Sequence, residues 1–194
     1  MEIEHIKQNY YFETLSEEHD LSSFDCGDDD LNDFLKNDAL PQQNEKLNVT
    51  KLVMCDGEVI GFVSLLTDVL VLKHINDENL KVKIKGKLGV KSKNTNVPAV
   101  KIGRFALDRR YQREGLGTHI LRNIFHTLKA IAKDQIGFRF IVVEGYAKAF
   151  NFYVLKNGFE HLKKDNEKVE NIDFISQRDP TKRFHLYLDL EKIE

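Results

Sequence analysis

The chain contains little cysteine and no long hydrophobic run, and each of these absences excludes a class of protein. Its 194 residues include two cysteines, Cys26 and Cys55, which are too few for a disulfide scaffold and lack the spacing of metal ligands. No apolar run approaches the ~18 residues that a membrane-spanning helix needs. Residues 1–12 contain acidic side chains and no apolar segment typical of a secretory signal. We therefore expect a cytoplasmic protein that neither binds a metal nor enters a membrane.

The chain also lacks an excess of charge of either sign. It has 29 Lys and Arg residues against 31 Asp and Glu residues, a formal net charge of −2. This balance argues against a general nucleic-acid binder but does not exclude local basic patches. Disorder of the bulk of the chain is excluded because 41% of the residues are hydrophobic and 13 of them are phenylalanine. The length is typical of one domain, since domains contain roughly 100–200 residues.

The N-terminal half predicts strands around one short helix. The acidic run Asp28–Asp30 stands before apolar residues at helical spacing, so we interpret it as an N-terminal cap rather than a metal site. Pro41 is expected to end this helix. The dipeptide Asp56-Gly57 is a strong turn signal and joins two β-rich runs into a hairpin. The strands predicted in this half are residues 10–15, 49–54, 59–65 and 68–75.

The C-terminal half predicts two helices between strands. Ile120, Ile124 and Leu128 belong to one apolar face of the clearest helix in the chain. Residues 147–156 predict a second helix, which Gly158 ends as a glycine C-cap. The strands predicted in this half are residues 100–107, 140–143 and 184–190. Strands that alternate with helices imply an α/β fold with a βαβ unit.

A glycine-containing turn, Gln112–Gly117, lies between a predicted strand and the long helix. Gly115 and Gly117 allow the backbone to approach a ligand closely, and the amide groups at a helix N-terminus attract anions. A pyrophosphate would accept several backbone hydrogen bonds here without a lysine. The turn matches neither the dinucleotide fingerprint Gly-x-Gly-x-x-Gly nor the P-loop. Taken alone, it is also consistent with an ordinary tight connection.

A second motif lies downstream of this turn. Residues 149–159 read Ala-Phe-Asn-Phe-Tyr-Val-Leu-Lys-Asn-Gly-Phe and follow a predicted strand. With both motifs in this order, the chain resembles the GNAT superfamily of acetyl-CoA-dependent N-acetyltransferases. The resemblance implies a single α/β domain over residues 1–194, with a mixed, largely antiparallel central sheet, splayed parallel strands at the acetyl-CoA site and flanking helices. It also implies an insertion over residues 67–99 and a loop over residues 163–182.

The resemblance implies roles for the residues of both motifs. Acetyl-CoA is the expected cosubstrate, without a metal, and its acetyl group passes to a primary amine by direct attack in a ternary complex. The backbone of Ala106 and Leu107 would bind pantetheine and polarise the thioester carbonyl. Tyr153 takes the position of the acid that protonates the departing thiolate, the alternative being a core aromatic. The expected cofactor-binding residues are Phe105, Ala106, Leu107, Gln112, Arg113, Glu114, Gly115, Leu116, Gly117, Thr118 and Asn151.

Other positions depart from the family pattern or extend it. Tyr146 stands where many members have asparagine, so a contact assigned to that asparagine does not transfer. No general base stands out, and Glu114 and Glu144 are candidates whose default interpretation is a surface acid. Arg104, in a predicted inner strand, is expected to orient the substrate or to form a buried ion pair. We expect Arg104 and Glu144 to be substrate-binding residues.

Four further segments narrow the resemblance: Phe24–Gly27, Leu31–Leu35 together with Ala39, Val59–Leu65 and Gly103–Arg109. In these the N-terminal half is similar to a GNAT branch that includes bacterial toxin acetyltransferases acting on aminoacyl-tRNA. The branch implies tRNA as acceptor and an antitoxin protein as partner, and the fold implies a homodimer. The lysines at positions 81, 83, 85 and 87 alternate, so on a strand they would share one face. That face would either bind phosphates or keep an edge strand soluble.

Several functions remain open at this point. The acceptor is a small-molecule amine, a protein amine, or the α-amine of aminoacyl-tRNA, the last of which would make the enzyme a toxin. The alternative class is a non-catalytic acyl-CoA-binding regulatory module. Such a module would not need the hydroxyl group of Tyr153.

Overall fold

The protein has an α/β fold built on a mixed sheet. The computed structural model describes residues 1–89, 95–162 and 172–193. The strands are β1 (Tyr11–Thr14), β2 (Val49–Cys55), β3 (Glu58–Val71), β4 (Asn96–Leu107), β5 (Phe140–Tyr146), β6 (Glu160–His161) and β7 (Arg183–Asp189). Their order is β1-β2-β3-β4-β5-β7-β6, and the pairing is mostly antiparallel with β4 and β5 parallel. The mixed, largely antiparallel sheet expected from the sequence is confirmed.

The α-helices of the described residues lie between these strands. They are α1 (Ile3–Asn9), α2 (Asp29–Asp33), α3 (Ala39–Asn44), α4 (Glu78–Leu88), α5 (Leu116–Asp134) and α6 (Ile172–Arg178). Helix α5 connects β4 to the parallel strand β5, which confirms the βαβ unit. The chain divides into two compact units. The first unit comprises Met1–Leu66 and Ile102–Ile124, and the second unit comprises Thr67–Lys101 and Phe125–Glu194.

The first unit contains the predicted hairpin. Asp56 and Gly57 have φ values of +48° and +78°, the two positive values that a type I′ turn requires. Strand β1 pairs with β2 at the edge of the sheet, with Phe12 opposite Val53. The buried core of this unit includes Phe24, Phe34, Leu35, Leu52, Phe62 and Ala106. The edge strand and the hairpin predicted from the sequence are therefore confirmed.

The helical segment of the first unit begins as predicted but does not end at Pro41. The carboxylate of Asp28 caps α2 by accepting a hydrogen bond from the Leu31 amide at 3.2 Å. Helix α2 then passes through a π-helical turn, Phe34–Asp38, into α3. Pro41 lies in the first turn of α3, and that position tolerates a residue without an amide proton. The prediction that Pro41 ends the helix was wrong because the π-helical turn restarts the helix at Ala39.

The second unit has its own hydrophobic core. Phe140 and Val142 of β5 and Tyr187 of β7 belong to one buried cluster with Leu80 and Ile84 of α4. Strand β7 pairs antiparallel with both β5 and β6. The first four residues of β5 are all buried, as expected for a strand covered on both faces. The segment predicted as a separate strand, 68–75, instead continues β3 to Val71 and ends in a 3₁₀ turn.

The alternating lysines lie on a helix, so the prediction that they share one face of a strand was wrong. Asp77 caps α4 by accepting a hydrogen bond from the Leu80 amide at 3.0 Å, and Gly89, with φ +65°, ends it. Successive helical side chains are about 100° apart, so four side chains at alternate positions point in several directions. The interpretation that these lysines keep an edge strand soluble is therefore also wrong.

The predicted loop over residues 163–182 is only partly described. Residues 163–171 lie outside the described residues. Ile172–Arg178 form α6 rather than a loop. The segment ahead of β7 therefore contains regular structure.

Candidate active site

The turn between β4 and α5 is fixed by the side chain of Gln112. Its Nε2 atom donates hydrogen bonds to the carbonyl oxygens of Cys26 and Leu107, both at 2.8 Å. Arg113 and Gly115 then adopt left-handed conformations, with φ values of +68° and +78°. Left-handed residues in a turn curve the backbone into the concave amide arrangement that binds anions. The predicted phosphate-binding turn therefore has a suitable local backbone.

The turn leads directly into the N-terminus of α5. The first amide groups of a helix have no acceptor within the helix and carry the positive end of its dipole. The first turn of α5 contains no acidic side chain that would compete for these amides. Leu116 is fully buried and anchors the start of the helix. A β-carbon at Gly115 would meet nothing within 4 Å, so glycine is needed there for its positive φ and not for space.

The last residues of β4 lie unusually close to β3. A β-carbon at Gly61 would lie 2.5 Å from Cδ2 of Leu107 and 2.8 Å from the carbonyl oxygen of Ala106. Real β-carbons essentially never approach other atoms so closely, so this contact requires glycine at position 61. Gly61 thereby fixes the position of Phe105–Leu107, the segment predicted to bind pantetheine.

Asp108 holds the chain where β4 ends. Its side chain is almost fully buried and accepts hydrogen bonds from the backbone amide and the Nε atom of Arg110, at 3.0 and 2.9 Å. It also accepts one from the amide of Asp25 at 3.4 Å. Burial by itself would raise the pKa of Asp108, but the hydrogen bonds from Arg110 outweigh burial and lower this pKa. The carboxylate is therefore ionised and positions the residues ahead of Gln112.

Arg104 does not form the buried ion pair that was one of its two expected roles. Its side chain is exposed, and its guanidinium carbon lies 5.2 Å from the ring centroid of Phe34. Its Nη1 atom donates to the carbonyl oxygen of Gly103 at 2.8 Å. Strand alternation does not explain this exposure, because Arg104 shares its face of β4 with Ile102 and Ala106, which are both buried. Substrate orientation, the other expected role, remains a prediction.

Tyr153 lies in an aromatic cluster of the second unit. Its ring packs edge-on against Phe152 and Phe159, with centroid distances of 5.2 and 5.4 Å. A β-carbon at Gly145 of β5 would lie 3.2 Å from two carbons of the Tyr153 ring. Burial raises the pKa of Tyr153 far above its ordinary value. The phenol is therefore protonated at neutral pH, as a proton donor must be.

The segment that carries Tyr153 is less regular than the predicted helix 147–156. It begins with a 3₁₀ turn, Ala147–Ala149, and continues as a π-helical turn, Phe152–Lys156. Asn157 donates a hydrogen bond to the Phe152 carbonyl at 2.7 Å, and Gly158 adopts φ +73°. The predicted glycine C-cap is therefore observed. Single π-helical turns inside helical segments are frequent at functional sites.

A cavity of about 320 Å³ lies in the second unit. Glu144 lines it and pairs with Nζ of Lys101 at 3.3 Å and with Nη1 of Arg183 at 3.5 Å. Burial would raise the pKa of Glu144, but Lys101, His185 and Arg183 outweigh it and lower this pKa. Glu144 is therefore an ionised carboxylate with cationic neighbours. The cavity is lined by Asp68, Val69, Leu70, Val71, His74, Lys101, Val142, Val143, Glu144, Leu162, His185 and Leu186.

The cavity and Tyr153 lie on opposite faces of β5. Glu144 and Gly145 are consecutive strand residues, so their α-carbon substituents point to opposite faces. Glu144 shares its face with His185, its direct partner on β7, while the other face at Gly145 is covered by Tyr153. Sequence analysis missed Lys101 and His185. In the sequence, each of them would be recognisable only as a charged or polar residue within a strand whose other residues are mostly buried.

Two other predicted residues lie at the surface. Asn151 is exposed and donates a hydrogen bond from Nδ2 to Asp173 of α6 at 3.2 Å. Glu114 is exposed in the turn before α5. Cofactor contact by Asn151 and proton abstraction by Glu114 remain predictions.

The sequence profile of the acetyltransferase (GNAT) family matches residues 8–159. A match over this share of the chain shows that the protein belongs to the GNAT family of acetyltransferases. It is therefore an acyltransferase that uses acetyl-CoA as its acetyl donor. The fold class, the enzyme class and the cosubstrate predicted from the sequence are confirmed.

Particular relatives agree with this assignment. A tRNA-acetylating toxin of Mycobacterium tuberculosis (strain ATCC 25618 / H37Rv) is 30% identical over 141 residues, which cover 72% of this chain and 78% of the toxin. The solved structure of AtaT complexed with acetyl-methionyl-tRNAfMet has a TM-score of 0.74 at 19% identity, over 95% of this chain and 97% of that chain. The structure of AtaTR bound with AcCoA has a TM-score of 0.70 at 22% identity, over 96% of both chains. The two solved structures share the fold of this protein.

None of the helices in residues 1–89, 95–162 and 172–193 is long and apolar enough to cross a membrane.

Proposed function

We propose that this enzyme transfers the acetyl group of acetyl-CoA to the α-amine of aminoacyl-tRNA. The observation that carries the proposal is the 30% identity with a tRNA-acetylating toxin over 72% of the chain. An acetylated aminoacyl group has no free amine for peptide-bond formation. The reaction would therefore block translation, and the enzyme would act as a toxin.

The amides of Arg113–Thr118 would bind the pyrophosphate of acetyl-CoA. The left-handed turn and the acid-free first turn of α5 support this assignment. The backbone of Phe105–Leu107, fixed by Gly61, would hold pantetheine and polarise the thioester carbonyl. A rigid backbone suits this role because donors that are already in place need no reorganisation during the reaction.

Tyr153 would protonate the departing thiolate. The amine nitrogen attacks the thioester carbonyl carbon, and the tetrahedral intermediate collapses as the carbon–sulfur bond breaks. The phenol proton passes to the sulfur, the amine loses its proton to solvent, and the phenolate regains a proton from water. The raised pKa keeps the phenol protonated at neutral pH but also makes it a weaker acid, so the role is supported by the position of Tyr153 against β5 and not by its pKa.

The cavity that Glu144 lines would hold a part of the acceptor away from the reacting amine, because Tyr153 covers the opposite face of β5. Apolar walls beside ionised groups suit a partly polar portion of the acceptor. The ordinary pKa of an α-amine is about 8, so a neutral fraction exists near neutral pH without a dedicated base. Glu144 is a poor general base because its pKa is lowered by Lys101 and Arg183, and it would contact the bound acceptor instead.

The exposed lysines of α4 would contact the phosphate backbone of tRNA. Lys83 and Lys87 are exposed and lie one helical turn apart, whereas Lys81 is buried and paired with Glu78. A local basic face supplies phosphate affinity even when the net charge of the chain is −2. Arg104, exposed over the ring of Phe34, is a second cation available for orienting the substrate.

Further properties follow from this function as proposals. A cell that makes an enzyme blocking its own translation needs an inhibitor, so we expect an antitoxin protein as partner. Aminoacyl-tRNA as acceptor implies a cytoplasmic location. A homodimer and a single functional domain over residues 1–194 remain predictions, and sedimentation of the purified chain tests the first of them.

The proposal is tested by acetyl transfer in two matched variants. Tyr153→Phe and Tyr187→Phe each remove one phenol hydroxyl from a buried ring of the second unit. We expect Tyr153→Phe to lower kcat for charged tRNA by about 10²–10⁴-fold while acetyl-CoA binding persists, and Tyr187→Phe to retain activity. Unchanged turnover in Tyr153→Phe would contradict the assigned acid. Transfer to small amines but not to charged tRNA would contradict the assigned acceptor.

A further inference from the structure

A cluster of three metal-binding side-chain types lies in the first unit. We propose that His5, Cys55 and Asp56 form a site for a divalent transition metal such as Zn²⁺. One potential ligand atom of each residue lies within 4.8 Å of those of the other two. Nε2 of His5 is already 2.8 Å from Oδ2 of Asp56. Imidazole, thiolate and carboxylate are the side-chain ligands that zinc takes in proteins.

The three ligands come from separate elements whose positions are fixed by other interactions. His5 lies on α1, which is anchored by the fully buried side chain of Ile6. Cys55 is the last residue of β2 and is fully buried. Asp56 follows it in the hairpin turn at φ +48°. The cluster therefore exists before a metal binds, which lowers the conformational cost of binding.

Asn9 contacts the side of the His5 ring that faces away from Asp56. Its Nδ2 atom donates to the carbonyl oxygen of His5 at 2.8 Å and lies 3.3 Å from Nδ1 of the His5 ring. Nδ1 therefore contacts Asn9, and Nε2 contacts Asp56. Binding of a metal at Nε2 requires the ring proton on Nδ1, and Oδ1 of Asn9 would accept that proton once the amide group turns over.

The geometry and charge of the cluster suit one divalent ion. Bonds of about 2.0–2.3 Å place tetrahedral ligand atoms about 3.3–3.8 Å apart, so the present separations, which are at most 4.8 Å, need to change by up to about 1.5 Å. On binding, the Cys55 thiol releases one proton to solvent, and the thiolate and the Asp56 carboxylate balance both charges of the metal. A neutral complex limits the cost of burying charge beside Cys55. The metal would enter from solvent, since the side chains of His5 and Asp56 are 46% and 55% exposed, and water would complete the coordination.

A second histidine in the same unit shows what distinguishes this cluster. Nε2 of His19 contacts Oε2 of Glu13 at 2.9 Å, much as His5 contacts Asp56. Nδ1 of the His19 ring contacts the hydroxyl and the backbone amide of Ser16, and neither contact involves a thiol. A histidine–carboxylate contact alone is an ordinary hydrogen bond, so Cys55 is the residue that makes the first cluster a metal site. His19 therefore supplies a control within the same chain.

Titration of the untagged full-length chain with Co²⁺ tests the proposal directly. We expect a thiolate-to-cobalt charge-transfer band that saturates at one equivalent of metal. Cys55→Ser should abolish this band, and His5→Gln should raise the Kd for Co²⁺ at least about tenfold. The controls Cys26→Ser and His19→Gln should keep both the band and the Kd. Zn²⁺ should displace Co²⁺ and remove the band.

Each other outcome of the titration overturns the proposal. These outcomes are a wild-type protein without the band, a band that survives Cys55→Ser, and equal weakening by His5→Gln and His19→Gln. If Cys55→Ser fails to fold because the position is buried, the two histidine variants decide, since both replace partly exposed side chains. Acetyl transfer is not measured in this experiment, so its result is independent of the proposed function.

Discussion

Replacing Gly145 with alanine perturbs Tyr153 without changing its chemistry. The new β-carbon would lie 3.2 Å from two ring carbons of Tyr153, where ordinary contact begins at 3.4 Å, so the ring must move by a few tenths of an ångström. Overpacking of this kind costs about 1–3 kcal/mol, and we expect a loss of about 1 kcal/mol in the free energy of unfolding. A misplacement of about 1 Å at a reacting centre costs about 10²-fold in rate, so we expect kcat to fall about fivefold.

A matched variant separates this effect from a general effect of alanine. A β-carbon at Gly137, also in the second unit, would meet nothing within 4 Å. Gly137→Ala should therefore retain the unfolding free energy and the kcat of the wild type. Urea denaturation measures the first quantity, and acetyl transfer to charged tRNA at saturating acetyl-CoA measures the second.

The Tyr153→Phe background shows whether the loss in kcat passes through the phenol. Phenylalanine keeps the ring that Gly145→Ala displaces but lacks the hydroxyl. Gly145→Ala should therefore still lower stability by about 1 kcal/mol in this background but should no longer lower kcat. The same fivefold loss of kcat with and without the hydroxyl would refute the assignment of Tyr153 as the acid.

Three further predictions concern other parts of the molecule. Gly61→Ala should lower the free energy of unfolding by about 2–3 kcal/mol in urea denaturation, because its β-carbon would lie 2.8 Å from a backbone oxygen of β4. Gly86→Ala, in open space on α4, is its control and should not destabilise. Lys83→Glu combined with Lys87→Glu should raise the KM for charged tRNA about tenfold at low salt but not the KM for acetyl-CoA, and an unchanged KM for tRNA would contradict the phosphate contacts. The folded-state pKa of Asp108 is lowered, so its ionisation stabilises the fold above about pH 4 and that stabilisation is lost as the pH falls through the folded pKa. The stability difference between wild type and Asp108→Asn should therefore shrink below about pH 4, and a difference that grows there would contradict the hydrogen bonds to Arg110.

Elements with strong local signals were predicted well from the sequence. The Asp56-Gly57 turn permits few alternatives because both residues need positive φ. Helix α5 has an apolar face that runs the length of the helix, so tertiary contacts reinforce what the sequence prefers. The failure at Pro41 has the opposite origin. The π-helical turn depends on how Phe34 and Leu35 pack in the core, and no local residue pattern predicts such a turn.

The sequence of α4 contains both a strand-like pattern and a helical pattern. Lysines at every second position have the period of a strand, and Val82, 70% exposed, breaks the apolar face of a helix. The helical signals were nevertheless present, with Asp77 before the helix, Gly89 after it and Leu80 four residues from Ile84. Burial of these two apolar residues decides the outcome because exposed lysines are compatible with either structure.

The candidate site could be predicted only where it is contiguous in sequence. Residues 112–117 and Tyr153 lie in short motifs that a single sequence displays. Glu144 and its partner Lys101 are 43 residues apart, and their pairing depends on which strands become neighbours. His5 and Asp56 are 51 residues apart, so the spacing of the cysteines gave no indication of a metal site.

The chemical position of the transferred acetyl group tests the central claim most directly. Bulk charged tRNA is incubated with the enzyme and labelled acetyl-CoA, and the aminoacyl ester is then cleaved with mild base. The proposed reaction predicts label on the released amino acid as an N-acetyl group, with none on uncharged tRNA. Label that stays on the tRNA after the ester is cleaved, or label on uncharged tRNA, would contradict the α-amine of aminoacyl-tRNA as the acceptor.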